Sequence, residues 1–352
     1  MNTRNKNFKL EFAGQKDAEE LLKIYEESDF QGDISVLYAR RPDPFSSLSL
    51  EGEKTFIPIM RDLENNKLFA MGGCIIRSVY LNGEIRKAGY LTGLKVLPEY
   101  RNNISFVPGV YKELFEKTKD EVDVYYTTII SENEKGRRFL EKKHRDMPFY
   151  RYIGEYTTYF LKTGVKAKQS EYTIKRGLSS DLKSFYEAEA KKLDFSPVDL
   201  NLPHLSENDF FAVCNGQDEI VGMFALWNQQ SYKQYIVTAY SGIYKYLYKL
   251  PTGILGYPDF PKTYENANYV TIALVISKED NPELKEHIIA RAVEMSKGYA
   301  FAMIGVTESH PFKSSLDKRK SIKYKSRLYS VEWENRTYDC KGKAMNIEVG
   351  LL

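Results

Sequence analysis

A chain of 352 residues with 42% apolar and 28% charged side chains has the balance of a globular protein rather than a disordered or fibrous one. Its length exceeds one ordinary core and points to two domains of roughly 150–200 residues each. A formal charge of +3 is close to neutral for this size and makes no chain-wide electrostatic case for DNA or for an anionic membrane surface.

The three cysteines, Cys74, Cys214 and Cys340, are odd in number and far apart. That spacing argues against a disulfide framework and excludes a CxxC metal pair. His144, His204, His287 and His310 are not at metal-ligand spacing from one another, so no metal is expected. Met1 to Lys9 is polar and basic rather than an apolar leader. No apolar run approaches the ~20 residues of a spanning helix, and a cytoplasmic protein without a membrane partner is expected.

Phe8 to Phe12 alternates like a first strand, and Asp17 to Tyr25 carries Ala18, Leu21, Leu22 and Tyr25 at helical spacing. Phe45 to Gly52 is a Ser-rich break after two prolines. Leu68 to Ile76 and Arg77 to Leu81 read as buried strand, and Asn82-Gly83 is a two-residue hairpin signal before a strand over Ile85 to Val96. A helix over 108–119 sets Val110, Tyr111, Leu114, Phe115 and Thr118 on one face, and the strand Val122 to Ile130 follows. Ser131 and Glu134 have capping-box spacing, which predicts a helix from about Glu132. Tyr152 to Leu161 is expected to close this domain as a strand, and Lys162 to Glu171 is the linker.

The second half repeats the order. Tyr172 to Arg176 reads as strand, Asp181 to Leu193 as helix, and Asp209 to Cys214 with Glu219 to Trp227 as a hairpin across Asn215-Gly216. Tyr269 to Ile276 is the next strand. After Pro282, a helix turns Leu284, Ile288, Ile289, Ala292 and Met295 inward, and Phe301 to Thr307 completes the pattern. Val96 to Asn133 spans 37 positions and Val275 to His310 spans 35, so the halves keep step.

The run Ala88 to Arg101 (AGYLTGLKVLPEYR) and the run from Asn133 (NEKGRRFLEK) resemble the fourth strand with its V-x-P-x-x-R motif, and the N-x-x-A/G-x-x-F-Y-x-K helix, of the GCN5-related N-acetyltransferase superfamily. The resemblance implies an α/β (α+β) fold of two tandem domains, 1–165 and 166–352, each a mixed, mostly antiparallel twisted sheet flanked by helices. It also implies transfer of an acetyl group from acetyl-CoA, or of another acyl group from acyl-CoA, to the primary amine of a small molecule or peptide. The cofactor belongs to the N-terminal copy, and the C-terminal copy completes the substrate cleft.

By the same resemblance, main-chain groups of Leu94, Lys95 and Val96 bond the pantetheine arm. Arg101, Asn102, Asn103 and Ser105 lie where the pyrophosphate turn belongs, and Asn133, Gly136 and Phe139 fit the cofactor helix. Ile104 and Phe106 stand where that turn has small residues. Leu140 stands where a Tyr acid is usual, and a thiolate leaving group with pKa near 8.5 needs little protonation at neutral pH. Glu132 is the candidate base and Tyr126 the candidate proton-handling group. In the second half the acids of Lys278 to Pro282 and the Ser309-His310-Pro311 turn replace both motifs.

Two rival readings share this fold. The basic segment Lys313 to Arg327 suits a Fem-like aminoacyl-tRNA-dependent transferase, and the altered motif positions suit a non-enzymatic ligand-binding protein. Tyr235, Tyr240, Tyr244, Tyr246 and Tyr248, ahead of the loop Pro251 to Pro261, line a substrate cleft or pack as an amphipathic core.

Overall fold

The computed structural model describes residues 7–27, 29–30, 32–102, 104–142, 147–333, 336–339 and 342–352; Asn103, His144 and Cys340 lie outside them. In chain order come β1 (Phe8–Phe12), α1 (Ala18–Glu26), β2 (Ile34–Ala39), α2 (Pro44–Leu50), β3 (Lys54–Phe56), β4 (Pro58–Asp62), β5 (Lys67–Leu81) and β6 (Glu84–Val96). Next are α3 (Val107–Thr118), β7 (Val124–Ile130), α4 (Glu134–Leu140) and β8 (Phe149–Leu161). The second half holds β9 (Thr173–Arg176), α5 (Ser180–Ala190), β10 (Phe210–Cys214), β11 (Ile220–Trp227), β12 (Gln234–Tyr240) and α6 (Tyr244–Leu247). It ends with β13 (Tyr269–Ser277), α7 (Pro282–Met295), β14 (Phe301–Thr307), α8 (Lys313–Asp317) and β15 (Ser321–Glu332).

The β5–β6 hairpin turns on Asn82 and Gly83, with φ of 56° and 78°, the left-handed pair that a tight right-twisted hairpin requires. The Ser-rich break expected at Phe45 to Gly52 is instead helix α2. Asp43 caps it by accepting the Phe45 N–H at 2.9 Å, and Pro44 supplies the pre-set φ of a first helical turn. Helix α4 begins two residues later than the Ser131–Glu134 spacing predicts: Asn133 is the cap, accepting the Gly136 N–H at 3.1 Å.

One sheet runs through the whole chain in the order β1-β4-β5-β6-β7-β15-β8-β14-β13-β11-β10-β9, with β3 on β5. The halves exchange their last strands. β8, expected to close the first half, pairs with β14 of the second, while β15 inserts between β7 and β8. The basic segment 313–327 is therefore split between helix α8, a short connection and the start of β15 rather than forming one helix face. Residues 321–327 are central strand, and Lys313 and Lys323 pair with Asp317, Lys325 with Glu155 and Arg327 with Glu141.

A second ribbon, β2 against β12, also joins the halves. Beside it, fully buried Glu51 accepts from Arg40 and from Lys233 at 2.9 Å each. Helix α3 covers one sheet face with Tyr111, Leu114 and Phe115 against Cys74, Leu91, Tyr125 and Ile129. Helix α1 covers the other through Leu21, Ile24 and Tyr25, which join Tyr90 and Tyr126. Among the described residues no helix is long and apolar enough to cross a membrane.

Candidate functional site

Strands β6 and β7 are parallel neighbours for three residue pairs only, Ala88–Val124, Gly89–Tyr125 and Tyr90–Tyr126. Past that point they separate. The separation coincides with a bulge in β6: Gly73 faces Thr92 and Met71 faces Lys95, so Gly72 is opposed by both Gly93 and Leu94. Gly93 has φ of 65° and a backbone so close to Tyr25 that an added Cβ would lie 2.7 Å from the tyrosine oxygen.

The second half is built the same way. β13 and β14 pair at Tyr269–Phe301, Val270–Ala302 and Thr271–Met303, and three residues later Leu274 takes φ of 54° at a bulge facing Phe224. Here the gap is filled by the chain itself. The segment 345–351 lies in it: Glu348 Oε1 accepts the Leu274 N–H at 2.9 Å, and the Met345 carbonyl accepts from Thr307 at 2.7 Å.

In the first half the same gap opens into a cavity of about 400 Å³, within the usual range of small-molecule sites. Thr92 to Lys95 and Thr128 to Ile130 flank it, and its walls come from both sheet faces: Val110, Tyr111, Leu114 and Tyr150 on the α3 side, and Tyr25, Tyr38, Tyr156 and Tyr235 on the other. Tyr111 and Tyr150 share a hydrogen bond of 2.5 Å, which satisfies both hydroxyls in a dry wall. Val349 and Leu352 border the cavity as well.

Among the described residues no Asp or Glu side chain lines the cavity, and Lys95 is the lysine or arginine that does. Its ammonium donates to the Tyr25 carbonyl, and burial lowers its pKa to about 8 because water no longer solvates the charge.

The residues singled out from the sequence are only partly gathered here. Leu94, Lys95, Asn133 and Gly136 line the cavity. Val96 is held in the ladder opposite Ala70, and its carbonyl accepts Nε of Arg101 at 2.9 Å, which ties that exposed arginine back to β6 rather than toward the start of α3. Asn102 and Ser105 are exposed in the turn before α3, and the Val107 N–H is used within that turn, bonding the Ile104 carbonyl at 3.0 Å. Phe106 packs edge-on against Phe69 at 5.3 Å and forms wall rather than plug. Phe139 packs among the apolar residues on the α3 face.

Tyr126 sits in the core between Tyr90 and Phe195 and takes a 3.3 Å bond from Arg77. Burial raises its pKa to about 12, and it does not border the cavity. Glu132 is exposed and stands between the segments carrying the lining residues Phe30 and Asn133; an added Cβ on Gly32 would meet its Oε2 at 2.5 Å. Of the five tyrosines read as a possible cleft, Tyr235 alone lines the cavity, and motif reading missed Tyr25, Tyr38, Tyr150, Tyr156 and the segment 345–352, which have no local pattern. The glycine in Leu91-Thr92-Gly93-Leu94 was the available signal.

No family model matches the chain, and no curated protein matches it in sequence. Solved structures do match in shape. N-myristoyltransferase of Saccharomyces cerevisiae with bound myristoyl-CoA superposes with a TM-score of 0.58 at 11% identity, covering 99% of this chain and 90% of that one. A GCN5-related N-acetyltransferase from Anabaena variabilis gives 0.50 at 9% identity, covering 92% and 72%. The GCN5-related glucosamine N-acetyltransferase region of a fungal multi-domain β-N-acetylglucosaminidase gives 0.61 at 14%, covering 93% of this chain and 38% of that one. At such identities the likeness is one of fold. The chain has the GCN5-related N-acetyltransferase fold, in the two-lobed, mostly antiparallel form it shares with N-myristoyltransferase.

Proposed function

We propose that this protein is an acyl-CoA-dependent N-acyltransferase, built from two copies of one strand–bulge–strand unit, of which the first holds the donor. One contrast carries the reading. The gap beside the β13 bulge is filled by the protein's own residues 345–351, whereas the matching gap beside the β6 bulge is an open cavity.

The filled gap indicates what the open one offers. At Leu274 a main-chain N–H meets an acceptor oxygen at 2.9 Å, so Gly93, at the equivalent bulge position, presents a main-chain donor to a thioester or pantetheine carbonyl. Donors held at fixed positions beside a carbonyl stabilise the negative charge that develops on it during acyl transfer. An acyl thioester supplies an activated carbonyl and a good leaving group. The acceptor amine must arrive neutral; its nitrogen bonds the carbonyl carbon as the carbon–sulfur bond breaks, and one proton leaves the nitrogen. Glu132 is the carboxylate assigned to take that proton through water at the cavity mouth. Tyr126 is assigned to packing.

The apolar extent of the cavity favours an acyl chain longer than acetyl. Tyr111, Leu114 and Tyr150 lie on the α3 side of the sheet and Tyr38, Tyr235 and Met303 on the other, a wall larger than a two-carbon group contacts. The acceptor is a small-molecule or peptide amine. The aminoacyl-tRNA reading is weakened because Lys313, Arg319, Lys323, Lys325 and Arg327 of the basic segment already pair with carboxylates.

The test is thermal stability with free CoA, acetyl-CoA and a series of longer acyl-CoAs. A donor at 100 times its dissociation constant adds about 2.7 kcal/mol. The expected order is long-chain above acetyl, followed by thiol release on adding an amine acceptor. Absence of any shift at millimolar donor defeats the proposal.

A further inference from the structure

We infer that the connection between β12 and β13, residues 241–264, is a lobe that docks on an anionic membrane surface. Of the fourteen large apolar side chains exposed among the described residues, seven fall here: Ile243, Tyr246, Leu250, Ile254, Leu255, Tyr257 and Tyr264. Ile254 is 83% exposed and Tyr246 70%. Scattered single exposures need no explanation, but a concentration of this kind marks an interaction surface.

The lobe has its own support. Tyr240 stacks on Tyr248 at 4.7 Å, and Phe260 packs edge-on against Tyr240 and Tyr244. Thr252 donates to the Pro258 carbonyl at 2.8 Å, and the Gly253 N–H bonds Asp259. This small aromatic base turns the aliphatic side chains outward. They stand on two short turns, α6 and the 252–255 turn.

Charge selects the partner. The segment 241–264 contains Lys245, Lys249 and Lys262 against one acid, Asp259, which already accepts from Gly253, and Lys262 alone of the three pairs with a carboxylate, that of Glu265 at 3.7 Å. Lys245 and Lys249 are exposed and have no carboxylate partner among the described residues, unlike the paired cations of β15. Apolar tips projecting past a lysine rim, with tyrosines between, suit the boundary between acyl chains and anionic headgroups. The near-neutral charge of the whole chain conceals this local excess.

The lobe also adjoins the cavity mouth. The Ser241 N–H donates to the Asp33 carbonyl at 2.8 Å, and its hydroxyl bonds the Gly32 carbonyl at 3.2 Å; Phe30, just upstream, lines the cavity. Docking there sets the mouth next to the bilayer, where an amphiphilic substrate resides.

The experiment is co-sedimentation of the full chain with phosphatidylcholine vesicles, with and without phosphatidylserine, in the absence of any acyl-CoA, so that the outcome is independent of the acyltransferase reading. Binding is expected only with phosphatidylserine and falls with added salt. The I254D/L255D and K245E/K249E variants should each weaken it by about tenfold or more, with an unchanged circular dichroism spectrum and melting temperature. Failure of the wild-type chain to sediment with the anionic vesicles overturns the inference, as does wild-type binding by I254D/L255D. It is equally overturned if vesicles do not bind and I254D/L255D converts an oligomer to a monomer, which makes the lobe a protein interface.

Discussion

The carboxylate of Glu348 accepts the main-chain N–H of Leu274 at 2.9 Å, at the bulge where β13 leaves β14. Its counterpart in the first half, Gly93, faces a cavity instead. The chain thus carries, side by side, an occupied and an open version of one main-chain site.

That bond has a pH signature. Full burial raises the Glu348 pKa to about 7 from an ordinary value near 4.5. Between those values the native state holds more proton than the unfolded chain, so stability falls as pH rises through this window, and the penalty is complete above it. Glu348→Gln keeps an acceptor and removes the charge. It should be more stable than wild type at pH 8 by about 1–3 kcal/mol and nearly equal at pH 4, as measured by urea unfolding across that range.

Glu51 is the single buried anion between Arg40 and Lys233, and the three tie α2 to the strand region of the second half. Glu51→Gln leaves two buried cations without their counter-charge, and burial already lowers Lys233 to about 8. Breaking a buried pair in this way costs about 3–5 kcal/mol. The urea midpoint should fall accordingly with unchanged slope; a loss below 1 kcal/mol would show that the cluster is dispensable.

Leu114 is buried on the cavity wall. Leu114→Trp should shorten the space beneath α3 and cost about 1–3 kcal/mol through overpacking. Calorimetric titration should show long-chain acyl-CoA affinity falling by roughly tenfold with acetyl-CoA affinity unchanged. Equal losses for both donors would place the acyl chain elsewhere.

Asn133 both caps α4 and lines the cavity. Losing a cap costs about 1 kcal/mol, but α4 buries no residue fully, so Asn133→Ala should barely change global melting. If the side chain also contacts the donor, its dissociation constant should rise by about fivefold or more. Unchanged affinity would leave capping as its whole role.

Much of this fold was readable in the chain. The hairpin at Asn82-Gly83, the inward face of α3 and the strands β5, β6, β7, β10, β11, β13 and β14 follow from turn chemistry and periodicity. Helix α2 was hidden by its serines although its Asp43-Pro44 start was visible. Strand β15 was hidden by its lysines, whose charges are met by Asp317 of α8 and by Glu155 on the neighbouring β8. Strands β2 and β12 support each other only after the halves meet.

Local pattern determined the Asn82-Gly83 hairpin, the inward face of α3 and the strands on either side of it, because each depends on backbone preferences within a few residues. Tertiary structure alone decided which strands the halves exchange, that residues 345–351 fill one gap and leave the other open, and that Tyr126 is core while Tyr111 is cavity wall. Those outcomes rest on main-chain hydrogen bonds and burial between segments far apart in sequence, where side-chain identity carries little information about the partner.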